Sequence, residues 1–119
     1  MSQVSGIGGI FFRARDPAAL TDWYQNHLGI GGSDTTWQQE AGPTVFAPFR
    51  QSSDYFAADK AWMLNLRVND LDGLIEKLRA AGIEVEVRDE WQDTEFGQFA
   101  RIHDPDGTPI ELWQPPEPD

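Results

Sequence analysis

The sequence predicts an α+β domain made of two βαβββ modules, whose strands form a cupped, eight-stranded mixed sheet with one helix packed on each module. Apolar residues alternate along two segments, and each of these segments leads directly into an amphipathic helix. The two halves also repeat each other at one constant offset, which aligns Arg13, Asp16 and Leu20 with Arg67, Asp70 and Leu74. A chain of 119 residues suits a single domain that contains both modules.

The first module is assigned to about residues 6–50. Residues 9–15, GIFFRAR, alternate between two faces and therefore predict a strand. Asp16 followed by Pro17 is a helix N-cap with proline at the first helical position, and the helical spacing of apolar residues continues to Gly29. A strand followed by a capped amphipathic helix is the expected start of a βαβββ module.

Short segments follow the first helix, and glycine and proline separate them. Residues 35–40, TTWQQE, and residues 44–49, TVFAPF, predict strands of a small meander. Residues 51–60 are mostly polar and show no periodicity, so we interpret them as a linker between the two modules.

The second module is assigned to about residues 61–115. Residues 62–68, WMLNLRV, alternate again, and Asp70 caps a helix that Gly82 ends. Three further strands are predicted at residues 83–88, 96–103 and 108–114. The two modules each leave one sheet face uncovered by a helix, so these faces are expected to close around a shared concave cavity.

The composition is strongly acidic, with 9 basic and 20 acidic residues and a formal net charge of -11. Such a field repels phosphate backbones and anionic lipids, so we expect neither nucleic acid nor membranes as partners. The sequence contains no cysteine, which suits a reducing compartment. It also shows no signal peptide and no apolar run long enough to span a bilayer, so we expect a cytoplasmic location.

Strand alternation predicts which side chains line the concave face. The opposite face is uniformly apolar and is expected to lie under the helices. An aromatic cavity with few polar groups is typical of a site for a small, partly aromatic or apolar molecule. Trp91 either closes over the cavity as a lid or covers the sheet edge. The candidate ligand-binding residues are Phe11, Trp37, Phe46, Met63, Asn65, Trp91, Phe99, Arg101, Glu111 and Trp113.

The order of elements and the segment DPDGTPIELWQP at residues 104–115 resemble the vicinal oxygen chelate superfamily, which includes glyoxalase I, bleomycin-resistance proteins and extradiol dioxygenases. The resemblance spans nearly the whole chain. It implies the paired-module fold described above, and it implies a homodimer, since members often pair modules across chains. The ligand of an individual member does not transfer with the fold.

In enzymatic members, the resemblance implies a divalent metal held on the concave face by the first and last strands of each module. Those places are occupied here by Gly9, Phe46, Met63 and Glu111. Only Glu111 offers an oxygen ligand, and a site generally needs at least three protein ligands. His103, beside the DPDG turn, is a further weak candidate. We therefore expect no cofactor, and a divalent metal at Glu111 and His103 is the alternative.

These observations favour a metal-free binding protein that sequesters, senses or carries a small molecule. The alternative is a metal-dependent lyase, isomerase or dioxygenase that resembles glyoxalase I and has a non-standard site. Glu111 is the best candidate for a catalytic residue, including a general base in an enzyme without metal. In either case, Glu111 is expected to pair with Arg101 or with a cationic group of the ligand.

Overall fold

The computed structural model describes residues 2–31 and 36–117. Its elements in chain order are helix α1, strand β1, helix α2, a short 3-10 helix and strands β2 and β3. Their bounds are Pro17–Leu28 for α1, Leu64–Arg67 for β1, Leu71–Ala80 for α2, Asp89–Trp91 for the 3-10 helix, Gln98–His103 for β2 and Pro109–Gln114 for β3. The fold is therefore α+β, as the sequence predicts.

Both helices begin where the sequence places their caps. The Asp16 side chain accepts a hydrogen bond from the Ala19 amide at 3.2 Å, and the Asp70 side chain accepts one from the Gly73 amide at 3.0 Å. Each bond satisfies an amide that the first helical turn leaves without a partner. Helix α1 ends at Gly29, whose φ of 69° lies in the left-handed region that glycine adopts without strain.

The sheet has three strands in the order β1-β3-β2. Strand β3 lies in the centre, parallel to β1 and antiparallel to β2. The predicted strand at residues 83–88 contributes one bridge, in which the Glu86 amide donates to the Arg101 carbonyl at 2.8 Å and the Arg101 amide donates back at 2.9 Å. Residues 83–88 therefore form one bridge instead of the predicted strand, while the other three strands of the second module follow in the predicted order.

The first module differs from the prediction. Within the described residues no strand precedes Leu64, so the strand expected at residues 9–15 is absent, as are those expected at 36–40 and 44–49. Thr35, at the start of one predicted strand, lies outside the described residues. Alternation shows which side chains suit a sheet face, but a strand also requires a neighbouring strand to accept its backbone hydrogen bonds. The eight-stranded arrangement is not formed by the described residues.

The core lies between the apolar face of the sheet and the two helices. Side chains of β2 and β3 that face the helices are completely buried, and Leu20 and Tyr24 of α1 join them. The core residues are Leu20, Tyr24, Leu66, Leu71, Leu78, Val85, Ala100, Ile102, Ile110 and Leu112. Ile10 and Phe12, which the pattern also places under the helices, are about half exposed, although Phe12 contacts the Tyr24 ring edge-on.

The DPDG turn between β2 and β3 is held from inside the protein. The buried Asp104 carboxylate accepts hydrogen bonds from the Asp106 amide at 2.8 Å, the Thr108 amide at 3.0 Å and the Tyr24 hydroxyl at 2.7 Å. Gly107 follows with a φ of 84°, which the turn requires. Asp104 therefore links the turn of the second module to helix α1 of the first.

No helix in the described ranges is both long and apolar enough to cross a lipid bilayer.

Candidate functional site

A row of polar side chains crosses the sheet on the face opposite the helices. Strand register places Asn65 beside Glu111 and Glu111 beside Arg101, and the bridge places Glu86 beside Arg101. Directly paired residues project to the same side of a sheet, with their Cβ atoms about 5 Å apart. The row therefore brings a carboxylate, a guanidinium and an amide together on the predicted concave face.

Glu111 is buried, with 7% of its surface exposed, and its carboxylate has two hydrogen-bond donors. The Asn65 side-chain amide donates to Oε1 at 2.8 Å, and the Tyr55 hydroxyl donates to Oε2. The expected ion pair with Arg101 is wrong, since no described acidic group lies within ion-pairing distance of Arg101. Neutral donors on both oxygens satisfy the carboxylate instead.

Arg101 is a buried cation, with 6% of its surface exposed. Its Nη2 donates to the Tyr55 carbonyl at 3.2 Å, and its guanidinium lies over the rings of Tyr55 and Trp91, at 4.9 Å and 5.6 Å from their centroids. Its Nε is buried and has no hydrogen-bond partner. The aromatic faces stabilise the charge, but one strong donor at the centre of the site has no acceptor.

Trp91 is 8% exposed and lies against the polar row. It is the last residue of the 3-10 helix, and its ring contacts Tyr55 with 6.4 Å between centroids. The Arg88 guanidinium also lies over the Trp91 ring, 4.7 Å from its centroid. Trp91 therefore lies over Arg101, a residue of the edge strand β2.

Tyr55 is the site residue that sequence reasoning missed. It lies in the segment interpreted as a linker, yet it contacts Glu111, Arg101 and Trp91. One signal was present: Tyr55 and Phe56 form an aromatic pair inside an otherwise polar segment. Tertiary packing places this pair beside the sheet, where Phe49 contacts both rings at 5.7 Å and 5.8 Å between centroids.

Phe99 and Trp113 form an aromatic platform next to the polar row. Their rings are parallel within 6°, with centroids 6.4 Å apart, as expected for directly paired residues on β2 and β3. The Trp113 indole donates to the Phe96 carbonyl at 2.7 Å, which fixes the orientation of its ring. The platform provides the apolar surface that the sequence predicts for this face.

Three predicted ligand-binding residues do not join this cluster. Phe11 is 96% exposed, Phe46 is 87% exposed and Trp37 is 42% exposed. All three belong to the first module, whose predicted strands are absent, so no sheet carries them to the concave face. Met63 precedes β1 and is half-buried, and His103 is exposed at the end of β2.

The structure also has a shallow depression of about 540 Å³ that is open to solvent and lies beyond the edge of this cluster. It shares Glu86 and Arg101 with the polar row. Its lining is otherwise acidic and polar around one tryptophan and one isoleucine: Trp23, Ile83, Glu84, Glu86, Arg101, His103, Asp104 and Pro105. In the cluster itself, Tyr55 contacts Glu111 and Arg101, and Trp91 lies over Arg101.

The Tyr55 phenol provides a pH-dependent readout of the cluster. Burial, its hydrogen bond to Glu111 and the charge of Glu111 raise the pKa of Tyr55 to about 12, from an ordinary value of 10.0. Because folding raises this pKa, the protonated phenol stabilises the fold fully below pH 10.0, and this contribution is lost as the pH rises through about 12. Burial and the Asp104 hydrogen bond also raise the pKa of Tyr24, the only other tyrosine.

We therefore expect an ultraviolet titration of the folded protein to show almost no tyrosinate absorbance at pH 10.0. The Tyr55→Phe variant should lose less stability than the wild type as the pH rises from 10.0 to about 12. A quarter of the total tyrosinate absorbance at pH 10.0 would show that one of the two phenols lies in water, because a phenol in water is half ionised at that pH.

The donor set does not fit a tightly held divalent metal. Of the places that correspond to ligands in metal-dependent relatives, Gly9, Phe46 and Met63 lack a hard donor, and Glu111 is engaged by Tyr55 and Asn65. Within residues 2–31 and 36–117, no three histidine, aspartate or glutamate side chains cluster closely enough to hold a metal ion. His103 lies at the exposed end of β2 and joins no such cluster.

Comparisons with known proteins place this arrangement in a family. A glyoxalase-like domain family matches residues 9–113. The solved structure of TnmS3, an antibiotic binding protein from Streptomyces sp. CB03234, is similar with a TM-score of 0.63 and 20% identity, covering 98% of this chain and 100% of that one. A comparison with curated proteins found no match. The chain therefore belongs to the glyoxalase-like domain family, within the vicinal oxygen chelate superfamily.

Proposed function

We propose that this protein binds a small organic molecule on the sheet face around Glu111 and Arg101, without a resident metal, and acts by sequestration, sensing or carriage. The observation that carries the proposal is the state of Glu111: its two oxygens accept hydrogen bonds from Tyr55 and Asn65. A carboxylate that serves as a metal ligand has to offer these oxygens to the ion.

The surroundings of Glu111 support an organic ligand. Trp91, Phe99 and Trp113 provide aromatic surface, while Arg101 provides a directed donor. Small-molecule sites commonly combine apolar walls with a few precisely placed polar groups. The related TnmS3 is described as an antibiotic binding protein, which agrees with a ligand of this size and kind.

We further propose that two copies associate and that the full cupped sheet forms in the dimer. The described residues before β1 expose large apolar side chains that a single chain does not cover. The free edge of β1 also offers backbone groups for another strand. Burying such a patch against a second copy would stabilise the dimer through the hydrophobic effect. These exposed residues are Val4, Ile7, Ile10, Phe11, Phe12, Trp37, Val45, Phe46 and Phe49.

A native mass spectrum of the purified protein tests these proposals together, because one measurement reports subunit number, metal and copurified ligand. We expect a dimer whose mass contains no divalent metal, even after incubation with Ni²⁺, Zn²⁺ or Mn²⁺ and removal of excess ion. The same measurement on Glu111→Ala should give the same metal content as the wild type.

The same mass spectrum can contradict either the metal-free proposal or the proposed dimer. A divalent ion at close to one per chain, lost in Glu111→Ala, would contradict the metal-free proposal. It would favour a metal-dependent lyase, isomerase or dioxygenase with a non-standard site. A monomer at micromolar concentration would contradict only the proposed dimer.

A further inference from the structure

Tyr55 occupies the site in the way a ligand would. The other members of the cluster come from the sheet or from the 3-10 helix, namely Asn65, Arg101, Glu111 and Trp91, whereas Tyr55 enters from the connecting segment before β1. The backbone of this segment is held locally, since the Ser53 amide donates to the Arg50 carbonyl at 2.9 Å and the Tyr55 amide donates to Ser53 Oγ at 3.2 Å. Tyr55 is therefore an internal occupant that no strand holds in place.

The contacts of Tyr55 describe the chemistry that the site accepts. Its hydroxyl donates to Glu111, its ring lies over the Arg101 guanidinium and contacts Trp91, and its carbonyl accepts from Arg101 Nη2. The Tyr55 side chain thus shows that the site accepts a planar aromatic ring with a hydroxyl donor. The carbonyl on Arg101 Nη2 belongs to the Tyr55 backbone and remains there when the side chain leaves.

Arg101 shows that Tyr55 is an incomplete occupant. Only 6% of the surface of Arg101 is exposed, so solvent does not satisfy its side chain. Its Nε is buried and has no hydrogen-bond acceptor. A buried donor of a charged group without a partner is unfavourable, because its hydration is lost and no acceptor replaces it. A ligand whose carbonyl accepts from Nε would supply the hydrogen bond that Tyr55 does not make.

We propose that Tyr55 holds the place of the ligand, and that the ligand is a planar hydroxyaryl carbonyl compound that displaces the Tyr55 side chain. The incoming phenol takes over the hydrogen bond to Glu111, its ring replaces that of Tyr55 over Arg101, and its carbonyl accepts from Arg101. This inference rests on the proposed binding function and names the ligand class for the same site.

Displacement has a measurable consequence. Because the occupied form cannot bind the ligand, the apparent affinity is reduced by the fraction of molecules in which Tyr55 has left the site. Removing the Tyr55 side chain should therefore increase the affinity for a phenol, which is the reverse of what deletion of an ordinary contact residue does.

The test uses 4′-hydroxyacetophenone as the probe and 4′-methoxyacetophenone as its matched control, since the methyl ether keeps the ring and the carbonyl but cannot donate. By isothermal titration calorimetry, Tyr55→Ala should bind the hydroxy compound about tenfold more tightly than the wild type does. It should also bind the hydroxy compound about tenfold more tightly than the methoxy compound. Tyr55→Phe, which keeps the ring without the hydroxyl, should fall between the wild type and Tyr55→Ala.

A second measurement locates the bound probe. The Arg101 Nε–H resonance, assigned in the NMR spectrum by comparison with Arg101→Lys, should shift when the carbonyl of the probe supplies an acceptor. Equal binding of the two compounds by Tyr55→Ala, or binding no tighter than that of the wild type, would overturn the inference.

The proposed binding function and the proposed ligand class can be contradicted separately. If the native mass spectrum shows a copurified small molecule that lacks a ring hydroxyl or a carbonyl, the ligand class is wrong and the binding function stands. If no compound binds to the wild type or to Tyr55→Ala, copurified or added, the site is not a binding site and both ideas fail.

Discussion

Replacing Asp104 with alanine is expected to lower the free energy of unfolding by about 3 kcal/mol or more. The Asp104 carboxylate is buried and accepts from the Tyr24 hydroxyl and from the amides of Asp106 and Thr108. Alanine leaves three donors without an acceptor, and the turn between β2 and β3 loses its link to α1. Urea denaturation monitored by tryptophan fluorescence measures the change.

Asp106→Ala is the matched control, because it removes a carboxylate from the same turn. Asp106 pairs with the Arg15 guanidinium at 2.9 Å, and the Arg15 side chain is largely exposed. Exposed ion pairs stabilise by at most about 1 kcal/mol, so this variant should remain close to the wild type. Equal destabilisation by the two variants would show that the turn, and not the buried network of Asp104, determines the effect.

Replacing Arg101 with methionine is expected to separate binding from stability. The variant should bind 4′-hydroxyacetophenone about tenfold to a hundredfold more weakly in the Tyr55→Ala background, since the ligand loses a charged donor. Its free energy of unfolding should stay within about 1 kcal/mol of the parent or increase, because a buried cation without an ionic partner is replaced by an apolar side chain of similar length.

Arg88→Met provides the control for this substitution. Arg88 also lies over Trp91, at 4.7 Å from the ring centroid, but it is largely exposed and pairs with Glu86 at 2.7 Å. We expect neither binding nor stability to change much. Isothermal titration calorimetry measures probe binding by both variants, and urea denaturation measures their free energies of unfolding. Unaltered probe affinity in Arg101→Met would mean that Arg101 serves only the fold.

Glu111 and its hydrogen-bond donor Tyr55 show how far the sequence predicts the site. Alternation along β2 and β3 placed Glu111, Arg101, Phe99 and Trp113 on one face, and the strand register confirms that they are neighbours. The pairing of Glu111 with Arg101 was wrong, because adjacent positions in a sheet do not determine which donors reach a carboxylate. Tyr55 supplies one of those donors from a segment without periodicity, and no local pattern predicts such a contact.

The sequence by itself determined the local structure of both capped helices and of three of the four strands predicted for the second module, together with the apolar face of those strands and the family. These features depend on residue periodicity, caps and turn chemistry within short segments. Tertiary structure alone decided that Tyr55 fills the site, that Trp91 covers Arg101 and that the predicted strands of residues 9–15 and 44–49 remain unpaired. The physical reason is that side-chain packing and strand pairing need partners that are distant in sequence. A local pattern indicates which conformation suits a segment, but not which distant segment packs or pairs with it.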